Sequence, residues 1–272
     1  MRTTALFAAL LLAASAHAQW PDYPSPNVPH KADGTPDLDG PTPRTAEGNP
    51  DLSGLWDRAG GPFGQGPPRT PPADGGPPVA NFLNIGAGFP GGLPFQPLAA
   101  QLRAERIANN QKNNPDAHCL PMGLMQLHLH PQPRKIVQTP GLIVIMYEGN
   151  QGLRQIFTNG RPLPQLNEDL QPWWYGYSIG HWEGDTLVVE TIGFRDDVWL
   201  DIQGSPLTSR GRMTERFTRP TFGNLRIDVT FDDPSAYTKP FTVRVNQRLT
   251  VDQELIEFIC NENEKSVRHF DP

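Results

Sequence analysis

Two stretches of the sequence show most clearly the pattern from which the fold is predicted. They are L-R-I-D-V-T-F at residues 225–231 and V-R-V-N-Q-R-L at residues 243–249. Apolar and polar side chains alternate in both, which predicts strands that bury one face and expose the other. Elsewhere in the sequence, short apolar runs bounded by turn residues predict further strands. With the two stretches above extended to their full lengths, the predicted strands cover residues 135–138, 142–148, 153–158, 177–182, 186–191, 212–219, 225–231, 241–251 and 255–260.

Several of these strands are joined by short turns such as Thr139-Pro140-Gly141 and Glu183-Gly184-Asp185. Short joins favour antiparallel neighbours, because a parallel crossover needs a dozen or more residues. The sequence therefore predicts a mainly β fold, an antiparallel meander that closes into a lipocalin-like barrel, with a β-sandwich as the alternative. One helix is predicted near residues 97–110, where Pro97 suits a first helical turn.

The N-terminal part of the chain has a different composition. Residues 1–18 have the basic start, apolar run and Ala16-His17-Ala18 site of a cleavable signal peptide, which predicts a periplasmic or secreted protein. Residues 19–96 form a long Pro/Gly-rich lead, and residues 97–272 the β-rich globular domain. The lead contains a short internal echo, T-P-D-L-D-G at 35–40 and N-P-D-L-S-G at 49–54, which we interpret as one turn motif used twice.

The net charge limits the kinds of partner that the chain is expected to bind, and the cysteine content indicates a covalent bond within it. A formal net charge of −6 disfavours nucleic acid, and no segment after the signal peptide is long enough to insert into a membrane, so a small molecule is the expected partner. Cys119 and Cys260 are the two cysteines of a chain predicted to enter an oxidising compartment, which favours a disulfide between them. A nucleophilic thiol and a metal thiolate are the alternatives.

Five motifs resemble a widespread family of secreted, uncharacterised bacterial proteins. They are D-L-S-G-L-W at 51–56, P-D-A-H-C-L-P at 115–121, I-V-Q-T-P-G at 136–141, S-I-G-H-W-E-G-D-T-L-V-V-E-T at 178–191 and C-N-E-N at 260–263. This resemblance implies no particular reaction. The G-L-W at 54–56 is also similar to the G-x-W signature of lipocalins, which implies that Trp56 packs across the closed end of a barrel with an internal apolar pocket.

Histidines are the candidate catalytic residues. In an extended chain His128 and His130 point to the same side, which suits acid/base work or half of a divalent metal site. His181 lies in a predicted strand on the face opposite Trp182 and is a third acid/base candidate. Structural roles remain the alternative for all three. The sequence has no Walker loop, G-x-G-x-x-G, G-x-S-x-G or H-E-x-x-H motif, so we expect no cofactor unless a metal binds at His128 and His130.

Aromatic and basic residues in the same part of the chain are the candidate substrate-binding residues. Trp174, Tyr175 and Tyr177 belong to the run W-W-Y-G-Y at 173–177, which suits stacking on a planar or sugar-like ligand as well as core packing. Arg154 suits a carboxylate or phenolate, and Trp199 lies among acidic residues in a loop.

Two functions fit these residues. The first is an exported enzyme, a lyase, isomerase or hydrolase, that uses side-chain acid/base groups on a small organic substrate, with an aromatic compound as one option. The second is a non-catalytic, lipocalin-like protein that binds an apolar or aromatic ligand. The enzyme hypothesis predicts that His128, His130, His181, Tyr175 and Arg154 line one pocket.

Overall fold

The computed structural model of the chain describes residues 23–59, 74–167 and 171–262. The predicted signal peptide, most of the Pro/Gly-rich stretch after residue 59 and the last residue of C-N-E-N lie outside these ranges. Within them, no helix has the length and apolar character that a membrane crossing requires.

Nine strands form one closed barrel in sequence order, with β1 paired to both β2 and β9. Neighbours are antiparallel except β4 and β5, which are parallel over two residue pairs. The strands are β1 Gly54–Arg58, β2 Arg134–Thr139, β3 Leu142–Tyr147, β4 Gly152–Phe157, β5 Tyr177–Glu183, β6 Thr186–Ile192, β7 Arg212–Thr221, β8 Asn224–Asp232 and β9 Phe241–Thr250.

The prediction of a mainly β, lipocalin-like barrel is confirmed, and the strands expected between residues 135 and 251 are present near their predicted bounds. The all-antiparallel meander is wrong at one place, because the long connection after β4 brings β5 back in the same direction. The globular unit also begins before residue 97, since β1 of the lead closes the barrel.

The end of the barrel where β1 begins is closed by Trp56. Its side chain is fully buried, its Nε1 donates to the Leu52 carbonyl over 2.9 Å, and the Arg219 guanidinium lies 4.9 Å from the ring centroid. Gly54 has φ +140°, and a Cβ there would lie 2.5 Å from Leu249 Cδ1, so the motif needs glycine at this position. The expectation that the G-x-W tryptophan packs at the closed end therefore matches the structure.

The lead covers this closed end with a tandem structural repeat. The echo seen in the sequence extends to twelve residues, P-H-K-A-D-G-T-P-D-L-D-G at 29–40 and P-R-T-A-E-G-N-P-D-L-S-G at 43–54. Both copies make the same backbone hydrogen bonds. In each copy the second residue pairs with the eighth in an antiparallel bridge. Each copy delivers one leucine to the barrel, Leu38 beside Gly223 and Leu52 into the core. The repeat is therefore a paired cap of the barrel.

Two helices lie at the other end of the barrel, α1 Pro97–Ala108 and α2 Leu124–Leu129. The predicted helix near 97–110 is α1. All six residues of α2 are buried, and its four apolar residues join a core cluster with inward side chains of the strands, among them Ile145, Phe217 and Val229. α2 takes up part of the barrel interior, because its His128 reaches Glu215 on the inward face of β7.

The C-terminal segment after β9 crosses the outside of the barrel. The strand predicted at 255–260 is wrong, because these residues make no ladder with a neighbouring strand. The segment is held instead by a Lys135–Glu254 ion pair and by Ile256 N–H, which donates to Glu148 over 3.1 Å. The predicted disulfide between Cys119 and Cys260 is present and anchors its end.

Candidate functional site

A fully buried ionic network occupies the centre of the barrel. Arg154 of β4 donates two hydrogen bonds to the Glu215 carboxylate of β7, and Nε2 of His128 in α2 donates to the same carboxylate over 2.8 Å. The Arg154 guanidinium also donates to Ser178 Oγ and Thr191 Oγ1, over 3.2 and 2.9 Å. The network thus ties α2 to the barrel wall.

The charges of this network stabilise one another. Burial alone raises the pKa of Glu215, but the adjacent Arg154 guanidinium lowers it to about 2, so the carboxylate is ionised. Burial lowers the pKa of His128 despite the hydrogen bond to Glu215, so the imidazole is neutral. Because its Nε2 carries the proton, the network holds one cation and one anion. This arrangement suits a structural ion pair as well as a catalytic one.

Sequence reasoning selected His128 and Arg154 but missed Glu215. A signal was available, because Glu215 shares the inward parity of Met213 and Phe217 along β7. A carboxylate on the buried face of a strand needs a cationic or hydrogen-bonding partner, and Arg154 on the buried face of β4 supplies it.

His128 and His130 do not share the extended segment that the hypothesis of a metal site assumed. His128 lies in α2 and His130 follows its end, so the two imidazoles do not alternate along a strand. His130 packs edge-on against Phe82, at 5.5 Å between ring centroids, and burial with the nearby Arg134 lowers its pKa to about 4. Across the described residues, no three His, Cys, Asp or Glu side chains are grouped to hold a metal ion.

The predicted common pocket does not form. His181 lies on the outer face of β5, where its side chain is 57% exposed and its Nε2 is 3.3 Å from Glu183 Oε1. His128 and Arg154 are inside the barrel, and Tyr175 is half-buried against the core. Strand parity explains the separation, because Ser178 of β5 faces Arg154 and His181 therefore faces out.

The aromatic run at 173–177 is divided among three environments. Trp173 bridges Phe194 in an extended conformation, so consecutive side chains point in opposite directions. Trp174 faces a cleft on the barrel rim, Tyr175 packs toward the interior, and Tyr177 stacks on Phe157 outside β4. The run therefore serves no single site.

The rim cleft brings together two of the predicted substrate-binding residues, Trp174 and Trp199. It has a volume of about 590 Å³ and lies between α1 and the loop after β6. The Arg106 guanidinium lies 4.4 Å from the Trp199 ring centroid, and the Arg195 guanidinium lies 4.7 Å from that of Trp174. Two Arg–Trp stacks therefore line one open site.

α1 supplies one wall of this cleft because of the way it packs. Its buried face carries Ala99, while the apolar Leu98 and Leu102 remain 79% and 38% exposed. Leu102 lines the cleft, as do Leu120 and His118 from the segment after α1. Nε2 of His118 donates to the Lys112 carbonyl over 2.6 Å, which fixes the ring.

The cleft lining carries two guanidinium groups, Arg106 and Arg195, and two carboxylates, Glu105 and Asp197. Arg195 is paired with Asp197 over 2.8 Å, whereas among the described residues no carboxylate oxygen lies within 4.0 Å of the Arg106 guanidinium. Arg106 donates to the Gly204 carbonyl, and burial lowers its pKa to about 10, so it keeps its charge at neutral pH. A partly desolvated guanidinium with no carboxylate oxygen at ion-pair distance can take an anionic ligand group as a hydrogen-bonding partner.

No protein-family model, curated protein or solved structure matches this chain. The functional assignment therefore rests on the geometry of the two polar sites. The central network is closed, while the rim cleft is open and has aromatic, apolar and charged walls of both signs. The rim cleft is the candidate ligand site.

Proposed function

We propose that this protein is an exported small-molecule-binding protein whose rim cleft takes an aromatic carboxylate or phenolate. One observation carries the proposal: the Arg106 guanidinium lies 4.4 Å from the Trp199 ring centroid in an open cleft, with no carboxylate oxygen within 4.0 Å among the described residues. A ligand carboxylate accepts from this guanidinium, and its aromatic body packs against Trp174, Leu102 and Leu120. The signal-like residues 1–18 and the disulfide support export.

The test is a titration followed by intrinsic tryptophan fluorescence, because both cleft tryptophans are reporters. We expect benzoate- and cinnamate-type carboxylates to bind and their neutral amides to bind at least about tenfold more weakly. Arg106→Gln should remove most of that preference. Arg210→Gln, a change at an exposed arginine that does not line the cleft, is the matched control and should preserve it.

Two results contradict this proposal. One is equal affinity for the carboxylate and its amide in the wild-type protein, which denies the role of the cation. The other is carboxylate binding that Arg106→Gln leaves unchanged, which places the ligand elsewhere.

An acid/base enzyme, a lyase, isomerase or hydrolase acting in the same cleft, is the second candidate. The observation that favours it is His118, a titratable side chain that lines the cleft and is held by its hydrogen bond to Lys112. Mass spectrometry of bound ligands after incubation separates the two functions. A binding protein returns every ligand unchanged, whereas an enzyme produces a product that His118→Gln reduces about 100-fold or more while binding persists.

A further inference from the structure

A second cluster of aromatic rings lies on the outer wall of the barrel, away from the cleft. It consists of Phe157, Tyr177 and Trp173 with Arg161, and we call it the outer aromatic platform. The ring centroids of Trp173 and Tyr177 are 5.9 Å apart, and those of Tyr177 and Phe157 are 5.3 Å apart. The planes of these two ring pairs are inclined by 49° and 30°, so neighbouring rings pack partly face to face.

Polar groups are fixed at one end of this platform. The Arg161 guanidinium lies 3.8 Å from the Phe157 ring centroid, its Nε donates to Asn159 Oδ1 over 2.9 Å, and its Nη1 donates to Tyr177 Oη over 3.4 Å. These contacts fix the position of the guanidinium at the surface. The described part of the chain places no carboxylate oxygen within 4.0 Å of it.

The platform remains open to solvent. Trp173 is 37% exposed, Leu166 beside it is 47% exposed, and Arg161 is exposed. Its surface is a barrel wall rather than a cleft, so a small aromatic molecule would cover only one ring there. An extended ligand that contacts successive rings gains stacking at each of them.

We propose that the outer aromatic platform binds an acidic oligosaccharide, with sugar rings stacked on Trp173 and Tyr177 and a uronate carboxylate paired with Arg161. Sugars suit this surface because their apolar faces stack on aromatic rings while their hydroxyls reach Asn159 and Tyr177 Oη. The acidic class follows from charge, since a guanidinium fixed by its own hydrogen bonds pairs well with a carboxylate. This site is independent of the rim cleft.

The test is isothermal titration calorimetry of the full mature protein with tetragalacturonate, and with cellotetraose as the neutral probe. We expect tetragalacturonate to bind and cellotetraose to bind about tenfold more weakly. Arg161→Gln should weaken tetragalacturonate binding about tenfold, and Trp173→Ala should weaken both ligands by at least that factor. Arg216→Gln, at an exposed arginine of β7, is the control and should change neither.

Arg161→Gln keeps this test decisive if Trp173→Ala fails to fold, because Arg161 lies at the surface. No binding of tetragalacturonate, equal binding of the two probes, or an unchanged affinity in Arg161→Gln each overturns the proposal. Concentration-dependent dimerisation in sedimentation velocity that Trp173→Ala abolishes overturns it too, since the platform is then a protein interface.

Discussion

Nε2 of His128 lies 2.8 Å from Oε1 of Glu215, and both side chains are buried at the centre of the barrel. Arg154 also donates to the same carboxylate. The histidine that the sequence offered as a catalytic candidate is therefore part of a closed ionic network that fastens α2 inside the barrel. We therefore expect substitutions in this network to change the stability of the fold.

Glu215→Gln should lower the free energy of unfolding by about 3–5 kcal/mol at pH 7, because it leaves the Arg154 guanidinium buried without its counter-ion. Urea unfolding measures the change. Glu190→Gln, which breaks the exposed pair with Arg212, is the matched control and should cost within about 0.5 kcal/mol. Equal effects of the two changes would show that the buried pair has no special role.

The difference in stability between the wild type and Glu215→Gln should depend on pH, in a direction that the pKa of Glu215 sets. The pKa of Glu215 is about 2 in the folded protein and about 4.5 when unfolded, so its ionised form stabilises the fold above pH 4.5. That contribution is lost as the pH falls from 4.5 to 2. The stabilities of wild type and Glu215→Gln should therefore converge over this window in acid titrations of unfolding.

His130 should make the protein less stable in mild acid. Its pKa is about 4 in the folded protein, against 6.5 when unfolded, so between these values the unfolded chain binds more protons. Stability falls as the pH falls from 6.5 to 4, by at most about 3 kcal/mol. His130→Gln should flatten this part of the curve. His181→Gln, at an exposed histidine, should leave it in place, and an unchanged slope in His130→Gln contradicts the assignment.

The disulfide between Cys119 and Cys260 spans 141 residues and anchors the C-terminal segment. Replacing both cysteines with alanine should lower the free energy of unfolding by about 2–5 kcal/mol, because the unfolded chain gains conformational freedom. Guanidinium unfolding measures this loss. Limited proteolysis should then cut between residues 251 and 262 before the barrel, whereas resistance of that segment would show that its other contacts suffice.

Gly123 couples α2 to the rim cleft. A Cβ at this position would lie 2.5 Å from the backbone oxygen of Trp199, so Gly123→Ala must displace that residue or the start of α2. We expect a loss of at least about 2 kcal/mol in unfolding free energy and weaker binding of the aromatic carboxylate. Native binding in a stable Gly123→Ala protein would show that Trp199 does not position the ligand.

The barrel was predictable because its strands keep the alternation of a half-buried sheet, as residues 225–231 illustrate. α2 was not, because L-M-Q-L-H-L at 124–129 is too short to display helical periodicity and is buried on every side. Its His-Leu-His order imitates strand alternation and produced the wrong expectation of paired imidazoles. Consequently the sequence also suggested a hollow interior, part of which α2 occupies.

The candidate site was predictable only in part. Trp174 and Trp199 were selected by residue type, and both line the cleft. Arg106 and Arg195 were missed, because the tertiary packing of α1 against the loop after β6 brings them onto those rings. Residues far apart in sequence carry no local signal of such a contact. Parity along β5 did predict that His181 and Trp182 face opposite ways, but not which of them faces out.

A crystal structure of the protein with a bound aromatic carboxylate is the decisive test of the rim cleft, since it shows where the ligand lies. We predict a carboxylate on the Arg106 guanidinium, an aromatic ring against Trp174, and α2 still joined to Glu215 through His128. A ligand inside the barrel in contact with Arg154, with α2 moved out of the interior, would contradict this prediction.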